Sequence, residues 1–240
     1  RSLLAAPSSV DPPLDVDADL RPEGRNGPLV RSLASYAQYY ARWSAPWEAQ
    51  ALLRARFAAG DAALGERFVA LVDPVRYPAD GLSQHDLIEI RRLKGRVDAE
   101  RLPRGADPST HTKLGRGGLA DIEWTIQLLQ LRHGSALPGL RTTRTLDALR
   151  VCVDAELLEP AQADALATAW RQATRLRNAI MLARDKAEDQ IPSHGRALVA
   201  VGRALGYPPG FDPGSVVDDW RRAARRARKV VEDVFYAPLR

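Results

Sequence analysis

The chain has 240 residues, 45% of them hydrophobic and 27% charged, with 35 basic against 30 acidic side chains and a formal net charge of +5. That length buries a substantial core as one large or two modest domains, and the composition is ordinary for a folded domain rather than for a disordered or fibrous one. No apolar run is long enough to span a membrane, the start Arg1-Ser-Leu-Leu-Ala-Ala-Pro is too short for a secretory signal, and a lone Cys152 excludes an intrachain disulfide framework, which fits a reducing cytoplasm.

In chain order, Leu14, Val16, Ala18 and Leu20 alternate with Asp15, Asp17 and Asp19. This pattern predicts a strand with three carboxylates on one face. Such a face is either a solvated edge that discourages aggregation or a place where cations are held. Arg21-Pro-Glu-Gly reads as the exit turn. From residue 32 the pattern is helical. Ser32 is placed to cap a helix through Tyr36, Tyr39, Tyr40 and Trp43, and Pro46 suits the first turn of a second helix to about Arg56, with Leu52 and Leu53 inward and Glu48, Arg54 and Arg56 outward. Gly60-Asp61 restarts a helix with Phe68, Leu71 and Val72, and Pro74 and Pro78 are expected to end it. Ser83 caps a longer helix to about Leu102 with Leu87, Ile90, Leu93 and Val97 inward. Its outer face is expected to carry Arg91, Arg92, Lys94 and Arg96.

The most informative stretch is Lys113-Leu-Gly-Arg-Gly-Gly-Leu-Ala-Asp-Ile-Glu-Trp124, continuing to Gly134. A basic, glycine-rich loop runs into a helix with two apolar stripes, one through Leu119, Ile122, Ile126 and Leu129 and one through Trp124, Leu128 and Leu131. Between them lies a narrow polar strip, Glu123, Gln127 and Gln130, which needs partners if it is buried. Amides of Gly117, Gly118 and Leu119 at the helix start, with Lys113 and Arg116 beside them, would suit a phosphate or other anion. Asp121 in the first turn complements the same dipole, and paired glycines can equally mean close backbone approach.

Further on, Thr142 or Thr143 caps a helix over Leu146, Leu149 and Val153. Glu159-Pro160 opens a long one over Leu166, Trp170, Leu176, Ile180 and Met181. Ser193 caps a helix ended by Gly206, and the last runs from Val216 to about Tyr236. No repeat or low-complexity tract interrupts the chain, and the short loops favour antiparallel neighbours in a bundle. The fold expected is mainly α: a helical bundle over residues 32–240 attached to an α/β remnant over residues 1–31.

Three separated stretches resemble one family. These are Val16-Asp-Ala-Asp-Leu-Arg-Pro-Glu-Gly-Arg-Asn-Gly-Pro-Leu-Val30 with Tyr36 to Tyr40, Trp47-Glu-Ala-Gln-Ala-Leu-Leu-Arg-Ala-Arg56, and Lys113 to Trp124 with Gln-Leu-Leu-Gln-Leu-Arg-His133. In that order they are similar to the bifunctional glutamine synthetase adenylyltransferase/deadenylase, and the second stretch more to its transferase half. The resemblance implies a nucleotidyltransferase that uses ATP and magnesium to move AMP onto a tyrosine of glutamine synthetase, under control of a PII signal protein. It also implies that residues 1–31 are the end of the nucleotidyltransferase domain and that Asp17 matches the third of three magnesium carboxylates. Asp19 stands where related sequences carry Arg. The Gly-Ser loop and Asp-x-Asp pair that supply the other two carboxylates do not occur in the sixteen residues before Asp17, so this chain alone is expected to be inactive. The loop at Lys113 to Gly118 is expected against the segment from Asp17 to Gly27, with Glu123 buried at the domain junction and paired with Arg21 or Arg25.

Two rivals stand beside this reading. One is the helical domain of a PII-protein uridylyltransferase. The other, of a different class, is a basic helical nucleic-acid module built on Trp220-Arg-Arg-Ala-Ala-Arg-Arg-Ala-Arg-Lys229, where clustered Arg would neutralise phosphates. Asp218, Asp219, Glu232 and Asp233 flank that run, and a solvated or paired helix face explains it more simply. His85, His111, His133 and His194 are too scattered for a metal site.

Overall fold

The computed structural model describes residue 17 and residues 20–237. The strand expected over Leu14–Leu20 falls almost wholly outside these residues. The described residues form helices α1 (Leu33–Arg42), α2 (Pro46–Leu52), α3 (Ala62–Arg76), α4 (Gln84–Glu100), α5 (Leu119–His133), α6 (Thr145–Asp154), α7 (Pro160–Arg184), α8 (Gly195–Ala204) and α9 (Gly214–Val234). No strand occurs among them.

The caps explain most of the boundaries. Ser32, Asp61 and Ser83 each accept the amide three residues on, at 3.2, 3.0 and 3.1 Å, and so satisfy a donor that the helix start leaves free. Pro46 and Pro160 occupy first-turn positions, where a missing N–H costs nothing. Five expectations need correction. Helix α2 stops at Leu52 rather than about Arg56, because the buried Arg76 guanidinium takes the carbonyls of Leu52 and Ala55 at 3.1 and 3.0 Å. Glu48 of α2 is buried rather than outward, because its carboxylate accepts the Tyr39 hydroxyl and the Ala45 amide at 2.8 and 2.9 Å. Pro74 lies inside α3 and does not end it: the helix runs on to Arg76, and the Tyr77 amide still donates to the Asp73 carbonyl at 2.8 Å. Helix α8 begins at Gly195, whose φ of +74° only glycine adopts freely, with His194 rather than Ser193 at the cap. Helix α6 begins at Thr145, and Thr142 instead accepts the Arg144 amide in a local turn.

The core is organised on α5, α7 and α9. Ile122, Ile126, Leu128 and Leu131 of α5 meet Leu149 and Cys152 of α6, Leu166 of α7, and Val231 and Phe235 at the end of α9. A second cluster joins Leu176 and Ile180 of α7 to Leu198 and Val201 of α8 and to Trp220 of α9. Helix α5 is thus apolar on two faces because it lies between neighbours. Met181, expected in the apolar stripe of α7, is 46% exposed. Cys152 is packing, and burial pushes its thiol up to about 12, so it is no nucleophile.

Candidate functional site

Chemistry-bearing residues converge where the loop before α5 meets α4 and α9. The loop is pinned from outside by a short pairing with the segment before α8. The Thr112 amide and hydroxyl donate to the Asp189 carbonyl at 2.8 and 2.9 Å, and the Ile191 amide donates to Thr110 at 3.1 Å. His111 is buried and its Nδ1 accepts the Leu114 amide at 3.0 Å. Burial holds its pKa below the ordinary histidine range, which keeps that nitrogen an acceptor.

Inside the loop the backbone closes on itself. The amides of Gly118, Leu119 and Ala120 donate to the carbonyls of Gly115, Thr112 and Lys113 at 2.9, 3.0 and 2.9 Å. The Gly117 amide donates to Asp121 Oδ2 at 2.8 Å. The anion cradle expected at Gly117 and Gly118 is therefore corrected: its donors are already engaged. Lys113 and Arg116 are both exposed. The two glycines have another physical cause. Gly117 has φ +72°, and a Cβ there would lie 2.0 Å from the Ala224 carbonyl oxygen of α9. At Gly118 a Cβ would lie 2.7 Å from the Thr112 carbonyl oxygen. The loop is a place of close backbone approach.

Asp121 is the hub. It is buried and receives, besides Gly117, the Lys94 ammonium of α4 at 2.5 Å and the Arg228 guanidinium of α9 at 3.0 Å. Lys94 is 0% exposed and also donates to Asp98 at 2.6 Å. Arg228 reaches on to Glu232 at 2.8 Å and lies over the Tyr236 ring. Burial, the largest single influence on Lys94, pulls its ammonium toward neutrality, but Asp121 and Asp98 outweigh it and its pKa ends above the usual lysine value. Two cations and three carboxylates thus staple three helices. Such a network adds little net stability over an apolar one, yet removing one member strands a buried charge, at a cost of about 3–5 kcal/mol.

This hub corrects the expectation that Lys94 lies on the outer face of α4. The signal was available: Lys94 is seven residues after Leu87 and four after Ile90, on the buried stripe itself. Asp121 carries more than a dipole complement, because its partners arrive from elements distant in sequence.

The polar strip of α5 is also resolved. Glu123 is half-buried and meets Arg54, in the turn after α2, at 3.4 Å, while Arg54 donates to the Thr143 carbonyl at 3.1 Å. Gln127 accepts from Gln50 at 2.7 Å, and Gln130 donates to the carbonyls of Leu140 and Thr142, both at 2.7 Å. The expected pairing of Glu123 with Arg21 or Arg25 is thus replaced by a pairing with Arg54. Arg21 instead donates to the Gly27 carbonyl at 3.1 Å. The Gly117 loop rests on α9; of the segment from Asp17 to Gly27 expected against it, Ala18 and Asp19 lie outside the described residues. Arg25 and Asp17 are both exposed. No cluster of three or more metal-ligating side chains occurs among the described residues. No helix among them is long and apolar enough to cross a membrane.

A helical domain whose signature loop is clamped by buried charge is the class that this architecture defines. Residues 1–71 match the family model for glutamate-ammonia ligase adenylyltransferase, and residues 91–237 match that for GlnD PII-uridylyltransferase. Proteins named bifunctional glutamine synthetase adenylyltransferase/adenylyl-removing enzyme are 62% identical over 236 residues in Streptomyces avermitilis and 60% identical over 235 in Mycobacterium avium. Each alignment covers 98% of this chain and 23% of the relative. The chain belongs to the family of bifunctional glutamine synthetase adenylyltransferase/adenylyl-removing enzymes and spans about a quarter of the length of these relatives. The second model match shows that the helical part is similar to that of uridylyltransferases too, which is why that rival was close.

Proposed function

We propose that this chain is the helical domain, with the end of a nucleotidyltransferase domain, of an enzyme that transfers AMP from ATP to a tyrosine of glutamine synthetase. In the same reading a sister half of the enzyme removes the AMP by phosphorolysis, and a PII signal protein reports nitrogen status to it. The observation that carries the reading is the likeness of 57–62% to the named relatives, sustained over both the Asp17 segment and the helices. The enzyme would work in the cytoplasm, with ATP and magnesium as the family's chemistry requires. Among the described residues Asp17 alone would meet the magnesium, and one exposed carboxylate is not by itself a metal site. Residues 1–31 would belong to the catalytic domain, and residues 32–240 would orient partners.

The test uses two proteins. This chain, mixed with glutamine synthetase, ATP and magnesium, should leave no AMP adduct detectable by mass spectrometry above a control without it. In the full-length enzyme, Asp17→Asn should cut transfer by about two to three orders of magnitude with little change in stability. Adduct formation by the chain alone, or near-normal turnover in the variant, would overturn the assignment of the catalytic carboxylate.

A further inference from the structure

One face of the clamp is left electrostatically open. A groove of about 700 Å³ runs between the loop Asp107–Arg116 and α9. It is lined by Arg116 on the loop side and by Arg221, Arg225, Arg228 and Lys229 on the helix side, with Asp107 and Glu232 as its acidic groups. Arg221 is committed to Ser109 at 2.9 Å and to Asp107 at 3.3 Å, and Arg228 to Asp121 and Glu232. The other three, Arg116, Arg225 and Lys229, are exposed and carry no hydrogen bond or ion pair among the described residues. Three unneutralised cations around one groove repel each other unless an anion joins them.

The geometry points to a binding site for a polyphosphate-bearing small molecule, lying between the loop and α9. Three observations set the class. The free cations Arg225 and Lys229 stand about 6 Å apart along the helix, with Arg116 on the loop side of the same groove, which matches a short chain of phosphates rather than a single one. The volume lies in the range of small-ligand clefts. Both walls are fixed beforehand, the helix by the Asp121 hub and the loop by its pairing to Asp189 and Ile191, so binding orders little besides the free side chains. Guanidinium groups take phosphate oxygens in pairs, and Arg is abundant here. The site uses side chains and not the engaged amides of Gly117 and Gly118. It stands independently of the catalytic assignment, because no residue of it lies near Asp17 in sequence.

The experiment is calorimetric titration of this chain with sodium tripolyphosphate at low salt, with ATP, an oligoglutamate peptide and duplex DNA as parallel probes. One variant carries Arg116→Gln, Arg225→Gln and Lys229→Gln. A charge-matched variant carries Arg96→Gln, Arg222→Gln and Arg226→Gln, all exposed and outside the groove. Thermal melting establishes that both fold. The expected result is saturable one-to-one binding of tripolyphosphate, weakened at least tenfold in the groove variant and little changed in the matched one. Absence of saturable binding, equal weakening in both variants, or binding of only the peptide or the DNA would overturn the site.

Discussion

Helices α1–α3 and helices α5–α9 are built on different principles. Around α5, α7 and α9 the apolar faces meet one another, and large side chains such as Leu128, Leu166 and Trp220 are almost fully excluded from water. The α1–α3 region has a small cluster of its own, Tyr40, Leu52 and Val72, bordered by Tyr36 and Phe68. It leaves Leu20, Leu29, Val30, Trp43, Trp47, Phe57 and Leu64 exposed, whereas beyond residue 65 only Ile88, Met181 and Leu182 are comparably exposed among the described residues. Its ties to the rest of the bundle are of both kinds: Ala49 and Leu53 join the main apolar cluster, buried Arg76 holds the end of α2, and Gln50 of α2 and Arg54 just after it reach α5. The lesson is that the C-terminal bundle adds one buried ionic hub to dense apolar packing, while the N-terminal helices combine a small apolar cluster of their own with a few apolar and polar contacts onto that bundle.

The largest effect that would sharpen this contrast is expected at the hub. Lys94→Met leaves Asp121 buried with one cation fewer, and urea denaturation should show a loss of about 3–5 kcal/mol. A loss below about 1 kcal/mol would mean that the hub is not under the strain of burial described here. Next comes Gly117→Ala, which combines a left-handed φ with a collision against α9; a loss of at least about 2 kcal/mol is expected. Gly105→Ala is its control, because Gly105 shares the positive φ but faces open space, and it should cost about 1 kcal/mol. Equal melting temperatures for the two variants would show that backbone approach is irrelevant.

Smaller effects belong to the contacts between the two regions. Arg54 is half exposed, so Arg54→Ala should cost no more than about 1 kcal/mol overall, but it should speed amide exchange in α2 while leaving α7 unchanged. Exchange quickening uniformly through both regions would erase the distinction between them. The smallest effect is a pH response. His111 has a depressed folded pKa, so between that value and the unfolded one near 6.5 the unfolded chain binds more protons, and stability falls as pH falls through this window. Protonation also removes the acceptor for the Leu114 amide, whose protection factor should fall as pH drops through the folded pKa of His111 and should show no such drop in His111→Asn.

Much of this organisation is legible in the sequence, for physical reasons. Ser32, Asp61 and Ser83 announce helix starts because a short polar side chain satisfies a donor locally. The two stripes of α5 announce a helix between neighbours. What sequence patterns miss is set by distant partners. Lys94 looks like one cation in a basic run until Asp121 and Asp98 are placed beside it. Gly117-Gly118 reads as a phosphate loop until Asp121 takes its amide and Ala224 crowds its Cα. Glu123 needs a cation, and local reasoning had no means of choosing Arg54, sixty-nine residues away, over Arg21 or Arg25.

The central claim is that the signature from Lys113 to Trp124 is a clamp that joins α4, α5 and α9 through Asp121. A double-mutant cycle on Lys94→Met and Asp121→Asn, followed by urea denaturation, measures that clamp directly. Asparagine keeps the shape of the side chain and can still accept the Gly117 amide. A coupling energy of about 2–3 kcal/mol is predicted, with the double variant less damaged than the sum of the singles. A coupling energy near zero would contradict the account and return the signature to a role outside the folding of the bundle.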